Sequence, residues 1–248
     1  MSLRGAWAFL TRLPGGAHPE TDRDLGRSVP WFPVVGAVVG ALSGAVYWAL
    51  HGPLGASLAA VLAVAAGAVA TGCFHEDGLA DTADALGGTT RQRRLAIMKD
   101  PRVGAFGVLA LVLSTLVRVF AVSSLAATDG LIALVVAHLL GRTMAVAVMG
   151  AAPAAAGTGL GHSYTAHRPR AWTVAAIVIT SAAAASLGPP GAVSLATAAS
   201  GAVLVGLIAW RAFGGVTGDV LGATEQVAEM AVLVSAAALV RTHGWSWT

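Results

Sequence analysis

Charge is scarce in this chain: Asp, Glu, Lys and Arg make up 11% of its 248 residues, against roughly 25% in a soluble domain. With 56% hydrophobic residues and a mean hydropathy of +0.75, that shortage excludes a soluble globular protein. Cysteine is almost missing too. A lone Cys73 rules out an internal disulfide framework and says nothing of redox compartment. The 31 glycines follow no three-residue period, which excludes a collagen-like chain. What remains is apolar sequence with few charges, so the positions of those charges carry the information.

Spanning a bilayer takes about 20 apolar residues at ~1.5 Å rise each. Seven runs qualify: Val29–Leu50, Leu54–Phe74, Val103–Ala126, Gly130–Ala151, Ala171–Leu187, Val193–Trp210 and Asp219–Val240. Ala and Gly dominate them, and small residues let helices approach closely in lipid. The expected fold is therefore all-α: a polytopic membrane bundle of about seven transmembrane helices. It forms a single membrane-embedded catalytic domain over residues 1–248, with an interfacial N-terminal segment at 1–28 and an acidic and basic cytoplasmic loop at 75–102. Trp7–Leu10 is too short for a signal-peptide core, and Arg12 interrupts it. Met1–Leu13 reads instead as an amphipathic interfacial helix. Trp31, Trp48, Trp172 and Trp210 fall at span ends, as interfacial belts do.

Basic residues assign the sides. Arg4, Arg12, Arg23, Arg27, Arg91, Arg93, Arg94, Lys99, Arg102, Arg168, Arg170 and Arg211 fall on one side of the seven-span arrangement, and Arg241 alone falls on the other. The positive-inside rule then places the N-terminus in the cytoplasm and the C-terminus outside. The acids follow the basic side, except Asp129. Charges gathered at one end point to a surface site, since a transport path would distribute acids across the bilayer.

Two acidic clusters stand out. His75-Glu76-Asp77-Gly78-Leu79-Ala80-Asp81-Thr82-Ala83-Asp84 follows the second run. If its helix continues past Phe74, Asp77, Asp81 and Asp84 share one face. Like charges so placed repel unless a cation sits among them, and oxygen-only donors suit a hard ion such as Mg²⁺. Gly78 leaves room for a phosphate or a second helix. Asp219, Glu225 and Glu229 form the other cluster, at the start of the seventh run. Ionisable groups there need a metal or a partner, and Arg142, past the midplane of the fourth run, is one candidate partner. Arg118, nearer the outer surface, is expected to snorkel.

Between the clusters lies Arg91 to Arg102, ending Lys99-Asp100-Pro101-Arg102-Val103-Gly104-Ala105-Phe106-Gly107. Cations beside a carboxylate-held metal suit a diphosphate, so the constellation suggests metal-assisted phosphoryl transfer or hydrolysis. Arg91, Arg93 and Arg94 also fit an ordinary solvated positive-inside loop. His75 fits a ligand or a satisfied helix-end residue, and Cys73 a small apolar filler. His162, Tyr164 and His167 are candidates for touching substrate.

At these residues the chain resembles the adenosylcobinamide-GDP ribazoletransferases, also called cobalamin synthases. The resemblance rests on Phe9-Leu10-Thr11-Arg12-Leu13-Pro14, Trp31-Phe32-Pro33-Val34-Val35-Gly36 and the stretch His75 to Gly88. It continues through Met98 to Gly107, then Gly214-Gly215-Val216-Thr217-Gly218-Asp219-Val220-Leu221-Gly222-Ala223 with Glu225 and Glu229. These blocks keep the family's order across nearly the whole chain; Pro101 departs from it, where a small polar residue is expected. The resemblance implies a Mg²⁺-dependent transfer in an inner membrane, with the active site on the cytoplasmic face. The acceptor, α-ribazole or α-ribazole 5′-phosphate, attacks adenosylcobinamide-GDP and GMP leaves. On that basis Glu76, Asp77, Asp81, Asp84, Asp219, Glu225 and Glu229 hold the metal, and Asp81 or Asp84 takes the proton. Lys99, Arg102, Arg142 and His75 then bind substrate. The other partner is membrane lipid; no nucleic acid is expected, and a homo-oligomer is compatible with the sequence.

Two alternatives remain. A CDP-alcohol phosphotransferase places Ala-Arg two residues after its Asp-Gly, whereas Asp77-Gly78 here runs into Leu79-Ala80-Asp81. A cobalt or corrinoid transporter would want ionisable residues along a transmembrane path, and only Arg118 and Arg142 lie deep.

Overall fold

The computed structural model describes residues 2–18, 21–155, 169–245 and 247. Among them the secondary structure is helical, apart from one isolated bridge between Ala154 and Val216. The short helices α1 (Leu3–Leu10) and α2 (Asp22–Ser28) lead through a 3₁₀ turn at Val29–Trp31 into α3 (Phe32–Leu54). Then come α4 (Ala56–Thr71), α5 (Phe74–Leu86), α6 (Arg91–Ile97), α7 (Ala105–Ser123) and α8 (Ala127–Ala151). After the gap follow α9 (Arg170–Ala185), α10 (Pro189–Phe213) and α11 (Gly218–His243).

Five of these helices are long and apolar enough to cross a membrane: α3 within Arg23–Leu54, α7, α8, α10 and α11. α4 and α5 pass the same test only as a pair bent by 90°, and add a sixth span if the pair is counted as one. α9 was expected to cross as well, but its 16 residues extend about 24 Å, short of the ~30 Å hydrocarbon core. Among the described residues length and composition thus support five or six spans, and the count of seven is not confirmed.

Small residues build the bundle. Gly36, Gly40 and Gly44 line the face of α3 that meets α8, and a Cβ at Gly40 would lie 2.6 Å from the Leu134 carbonyl oxygen. At Gly44 the same atom would come within 2.8 Å of the Leu131 oxygen. Such backbone approach gives dispersion contact where lipid offers no hydrophobic drive. Tyr47 closes the far end of this pair, its hydroxyl donating to the Leu125 carbonyl at 2.8 Å. Large apolar side chains such as Phe106, Phe120, Ile179 and Val203 stay exposed, which suits a lipid-facing surface.

One break decides where the acids go. α4 ends with the Gly72 N–H donating to Val69 O and the Cys73 N–H to Ala68 O, the paired bonds of a Schellman cap. Gly72 (φ 65°) and Cys73 (φ 56°) are both left-handed. Glycine adopts that conformation freely, while Cys73 does so against the steric preference of its Cβ. Instead of continuing past Phe74 in line with α4, the chain therefore restarts as α5 at a right angle. The Arg12 side chain covers this corner, packed against Gly72, and the Arg12 backbone N–H donates to Ala70 O at 2.8 Å.

The basic segment is stapled at the same end. Arg91 donates to Ala155 O at 2.8 Å, and Arg94 donates to Gly88 O at 2.8 Å and Ala212 O at 3.4 Å. These bonds tie α6 to the end of α10 and to the chain after α8. At the opposite end Asp129 accepts the Trp247 N–H at 2.8 Å.

Candidate functional site

α5 lies against the first turns of α11, and glycine permits the contact. A Cβ on Gly78 would sit 2.8 Å from the Asp219 carbonyl oxygen and 3.2 Å from Gly222 Cα. α11 starts there because Thr217 caps it, its Oγ1 accepting from the Val220 N–H at 3.2 Å. Asp219 thus stands in the first turn, within electrostatic reach of Asp77 and Asp81. Asp77 is exposed and Asp81 and Asp219 are half-buried. Among the described residues no cationic side chain comes within ion-pair distance of any of the three. Their mutual repulsion is left to solvent or to a bound cation.

Asp84 is near this group but otherwise engaged. Its two carboxylate oxygens accept the Gly104 N–H at 2.7 Å and the Gly107 N–H at 2.8 Å. α7 has no capping side chain of its own, so Asp84 supplies the cap from 20 residues upstream. A carboxylate there also complements the helix dipole.

Glu76, Glu225 and Glu229 lie elsewhere, in a buried ion network. Arg142 (3% exposed) pairs with both Glu225 and Glu229, while Glu229 also contacts His138. His75 Nδ1 is 3.4 Å from Arg142 Nη2 and 3.9 Å from Glu225 Oε2. Gln226 donates to Glu225 at 2.9 Å and to Glu76 at 3.4 Å. The ligand atoms of His138, Glu225 and Glu229 lie within 4.8 Å of one another, close enough to share a metal ion. Arg142 Nη1 occupies that space, however, in contact with both glutamates and 2.7 Å from His138 Nδ1. A divalent ion would have to displace a guanidinium.

Arg118 joins the network and corrects the expectation that it snorkels. It is 5% exposed, with Nη1 3.1 Å from Glu76 Oε1 and 3.6 Å from Glu229 Oε2. The bend after α4 carries Glu76 inward to meet it, and a buried pair then outcompetes a reach to the membrane surface.

Lys99 and Arg102 are exposed on the turn between α6 and α7. Arg102 grips Asp100 through two side-chain bonds of 2.9 and 2.7 Å, and that hydrogen bonding holds the Asp100 carboxyl down at about 2. His162, Tyr164 and His167 lie outside the described residues.

His138 and Gln226 belong to this network as well, though neither lies in the two acidic clusters of the sequence. Their signal was present: His138 precedes Arg142 by four residues on one face of α8, and Gln226 adjoins Glu225 inside a span. Polar groups at that depth are expensive and hence informative.

The chain matches the family model described as cobalamin-5-phosphate synthase over residues 2–237. It is 42% identical over 242 residues to an adenosylcobinamide-GDP ribazoletransferase of Bradyrhizobium diazoefficiens, covering 95% of this chain and 93% of that one. A protein of the same name from Pseudomonas savastanoi is 38% identical, covering 96% and 98%. One from Syntrophobacter fumaroxidans is 35% identical, covering 94% and 97%. No solved structure matches the chain. A helical membrane bundle, acids gathered at one end and similarity along nearly the whole length agree: the chain belongs to the adenosylcobinamide-GDP ribazoletransferases, a family of transferases of cobalamin synthesis.

Proposed function

We propose that the chain completes the cobalamin nucleotide loop at the bundle end where α5 meets α11. The 3′-hydroxyl of α-ribazole, or of α-ribazole 5′-phosphate, attacks the phosphorus nearest cobinamide in adenosylcobinamide-GDP. A phosphorus–oxygen bond to the ribose forms, the bond to the bridging oxygen breaks, and GMP leaves with that oxygen. One observation carries the reading: Asp77, Asp81 and Asp219 lie within electrostatic reach of one another with no cationic partner among the described residues, and their oxygens are hard donors of the kind that suit Mg²⁺. Bound there, Mg²⁺ would neutralise diphosphate charge as a Lewis acid.

The chain's own groups do the rest. Asp77 and Asp219 would hold the metal, and Asp81, within electrostatic reach of both, accepts the hydroxyl proton. Asp84 fixes the start of α7, which keeps Lys99 and Arg102 near the charge that develops on GMP. Glu76, Glu225 and Glu229, paired with Arg118 and Arg142, position α5 against α11 from beneath. In the seven-span reading of the sequence twelve of the 15 Lys and Arg residues fall on one side, which supports an inner-membrane protein with this site facing the cytoplasm.

The test is incubation of purified protein with adenosylcobinamide-GDP, each acceptor and Mg²⁺, following GMP and corrinoid by chromatography. GMP and product should appear in equal amounts, and chelation of Mg²⁺ should stop both. Asp81→Asn should lower kcat by about 10²-fold or more; near-normal turnover in that variant would sink the carboxylate assignment. Corrinoid uptake into liposomes without GMP release would favour a transporter instead.

A further inference from the structure

α1 buries one side only. Gly5, Ala6, Ala8 and Leu10 face inward, while Leu3 and Arg4 are exposed and Trp7 is half-buried. Beyond the helix the chain turns at Gly15, which is left-handed (φ 101°), and runs back along it, the Ala17 N–H donating to Arg4 O at 3.1 Å. The Trp7 indole Nε1 donates to Pro14 O at 3.0 Å and pins that turn. Between α1, the turn and the start of α3 lies a cleft of about 300 Å³, at the lower end of the range of small-molecule sites.

The wall from α3 is apolar, with Val34 and Val38 lining the cleft. Val34, Val38 and Leu42 are exposed at four-residue intervals, so an apolar track leaves the cleft and follows the span for about 12 Å. Charge is confined to the mouth. Arg4 lines the cleft, and among the described residues its exposed side chain meets no carboxylate or other acceptor. It stands in the first turn of α1, a turn that holds no acid. A cation there opposes the helix dipole, so an anion bound at Arg4 would relieve a repulsion that the chain itself leaves uncompensated.

A guanidinium at the head of an apolar track fits a phosphodiester carrying an acyl chain. Free phosphate has nothing to lay along Val34, Val38 and Leu42. A zwitterionic phospholipid brings its own cation towards Arg4, whereas an anionic one does not. Trp7 suits the same depth, since its ring is apolar and its N–H is already satisfied.

We propose that this cleft seats one anionic glycerophospholipid, its phosphate on Arg4 and an acyl chain along Val34, Val38 and Leu42. The seat is a discrete site, distinct from the lipid that surrounds the bundle, and it is independent of the transferase reading. Phe9 of α1 meets Phe74, the first residue of α5, with ring centroids 5.1 Å apart. A lipid that braces α1 therefore also steadies the start of α5.

The experiment offers the delipidated, detergent-solubilised full chain equal amounts of phosphatidylglycerol and phosphatidylcholine with identical acyl chains. Native mass spectrometry reads the first bound lipid, and thermal midpoints are taken with each lipid alone. One basic residue favours an anionic lipid by about fivefold. The native chain should therefore prefer phosphatidylglycerol by about that factor, and its midpoint should rise more with that lipid. Arg4→Gln should abolish the preference while still retaining lipid, and Val38→Trp, which fills the cleft, should lose the first bound lipid. Arg23→Gln, an exposed arginine on α2 outside the cleft, should keep the native preference. Should Val38→Trp fail to fold, judged by gel filtration, Arg4→Gln decides. A native chain without preference overturns the proposal, as does a folded Arg4→Gln that keeps it. Equal losses in Arg4→Gln and Arg23→Gln would mark a general basic surface and overturn it too. A dimer that Val38→Trp breaks, with lipid preference intact, would make the cleft a contact between copies of the chain and likewise overturn the seat.

Discussion

Gly78→Ala tests the site geometry with one methyl group. The added Cβ would lie 2.8 Å from the Asp219 carbonyl oxygen, 3.1 Å from Asp219 Cα and 3.2 Å from Gly222 Cα. All three are backbone atoms, so no flexible side chain can swing aside. Restoring ordinary contact requires α5 and α11 to part by about 0.6 Å at the crossing, because carbon-to-heavy-atom contact is comfortable only from roughly 3.4 Å. Overpacking of this kind costs about 1–3 kcal/mol. The functional effect should be larger in proportion, since Asp77 and Asp81 ride on one helix and Asp219 on the other. Misplacing reacting groups by ~1 Å can cost about 10²-fold, so a 10- to 100-fold fall in kcat is expected, with a raised Mg²⁺ requirement. Thermal unfolding and Mg²⁺-dependent GMP release are measured together. Gly206→Ala serves as the control, because its Cβ would meet only Val148 Cγ1 at 3.9 Å. It should leave both measurements unchanged or add up to ~1 kcal/mol of stability. Gly78→Ala with native kcat and native Mg²⁺ dependence would refute the claim that this crossing sets the site.

Three further outcomes follow from named contacts. Arg118→Met strips Glu76 of its ion-pair partner and Glu229 of one, and removing one member of a buried pair costs about 3–5 kcal/mol; thermal unfolding should show it, with Arg118→Met/Glu76→Gln recovering part of the loss. Asp84→Asn replaces one accepting oxygen with a donor and breaks one of the two N–H bonds at the start of α7. Hydrogen exchange at Gly104 and Gly107 should quicken, with a stability loss of about 1–3 kcal/mol. Arg142→Lys should be worse tolerated than a conservative change suggests, because one ammonium cannot span Glu225, Glu229 and His138 as the guanidinium fork does; reduced thermal stability and a kcat loss at unchanged donor KM would register it.

Much of this protein is legible before folding. Scarce charge and long Ala- and Gly-rich runs determine a helical membrane bundle, because only internally satisfied helices of that length suit lipid. The one-sided placement of charge marks the end that holds Asp77, Asp81 and Asp219, and three like charges spaced along one helix face single α5 out. Those conclusions depend on local spacing and on the solvent, both readable in one dimension.

The sorting of the seven acids required the tertiary structure. Spacing along α11 treats Asp219, Glu225 and Glu229 as one cluster, yet Arg118 and Arg142 take the glutamates into a buried network and leave Asp219 to Asp77 and Asp81. Asp84 shares its helix face with Asp81 in sequence but is drawn to the start of α7, whose unpaired N–H groups demand an acceptor. The right-angle bend at Gly72 and Cys73 decides both outcomes, since two left-handed residues redirect α5 into the bundle. Which carboxylate meets a guanidinium, a backbone N–H or open solvent depends on approach between distant segments. Spacing and charge gather the acids towards one end of the bundle; contact between distant helices leaves only some of them uncompensated there.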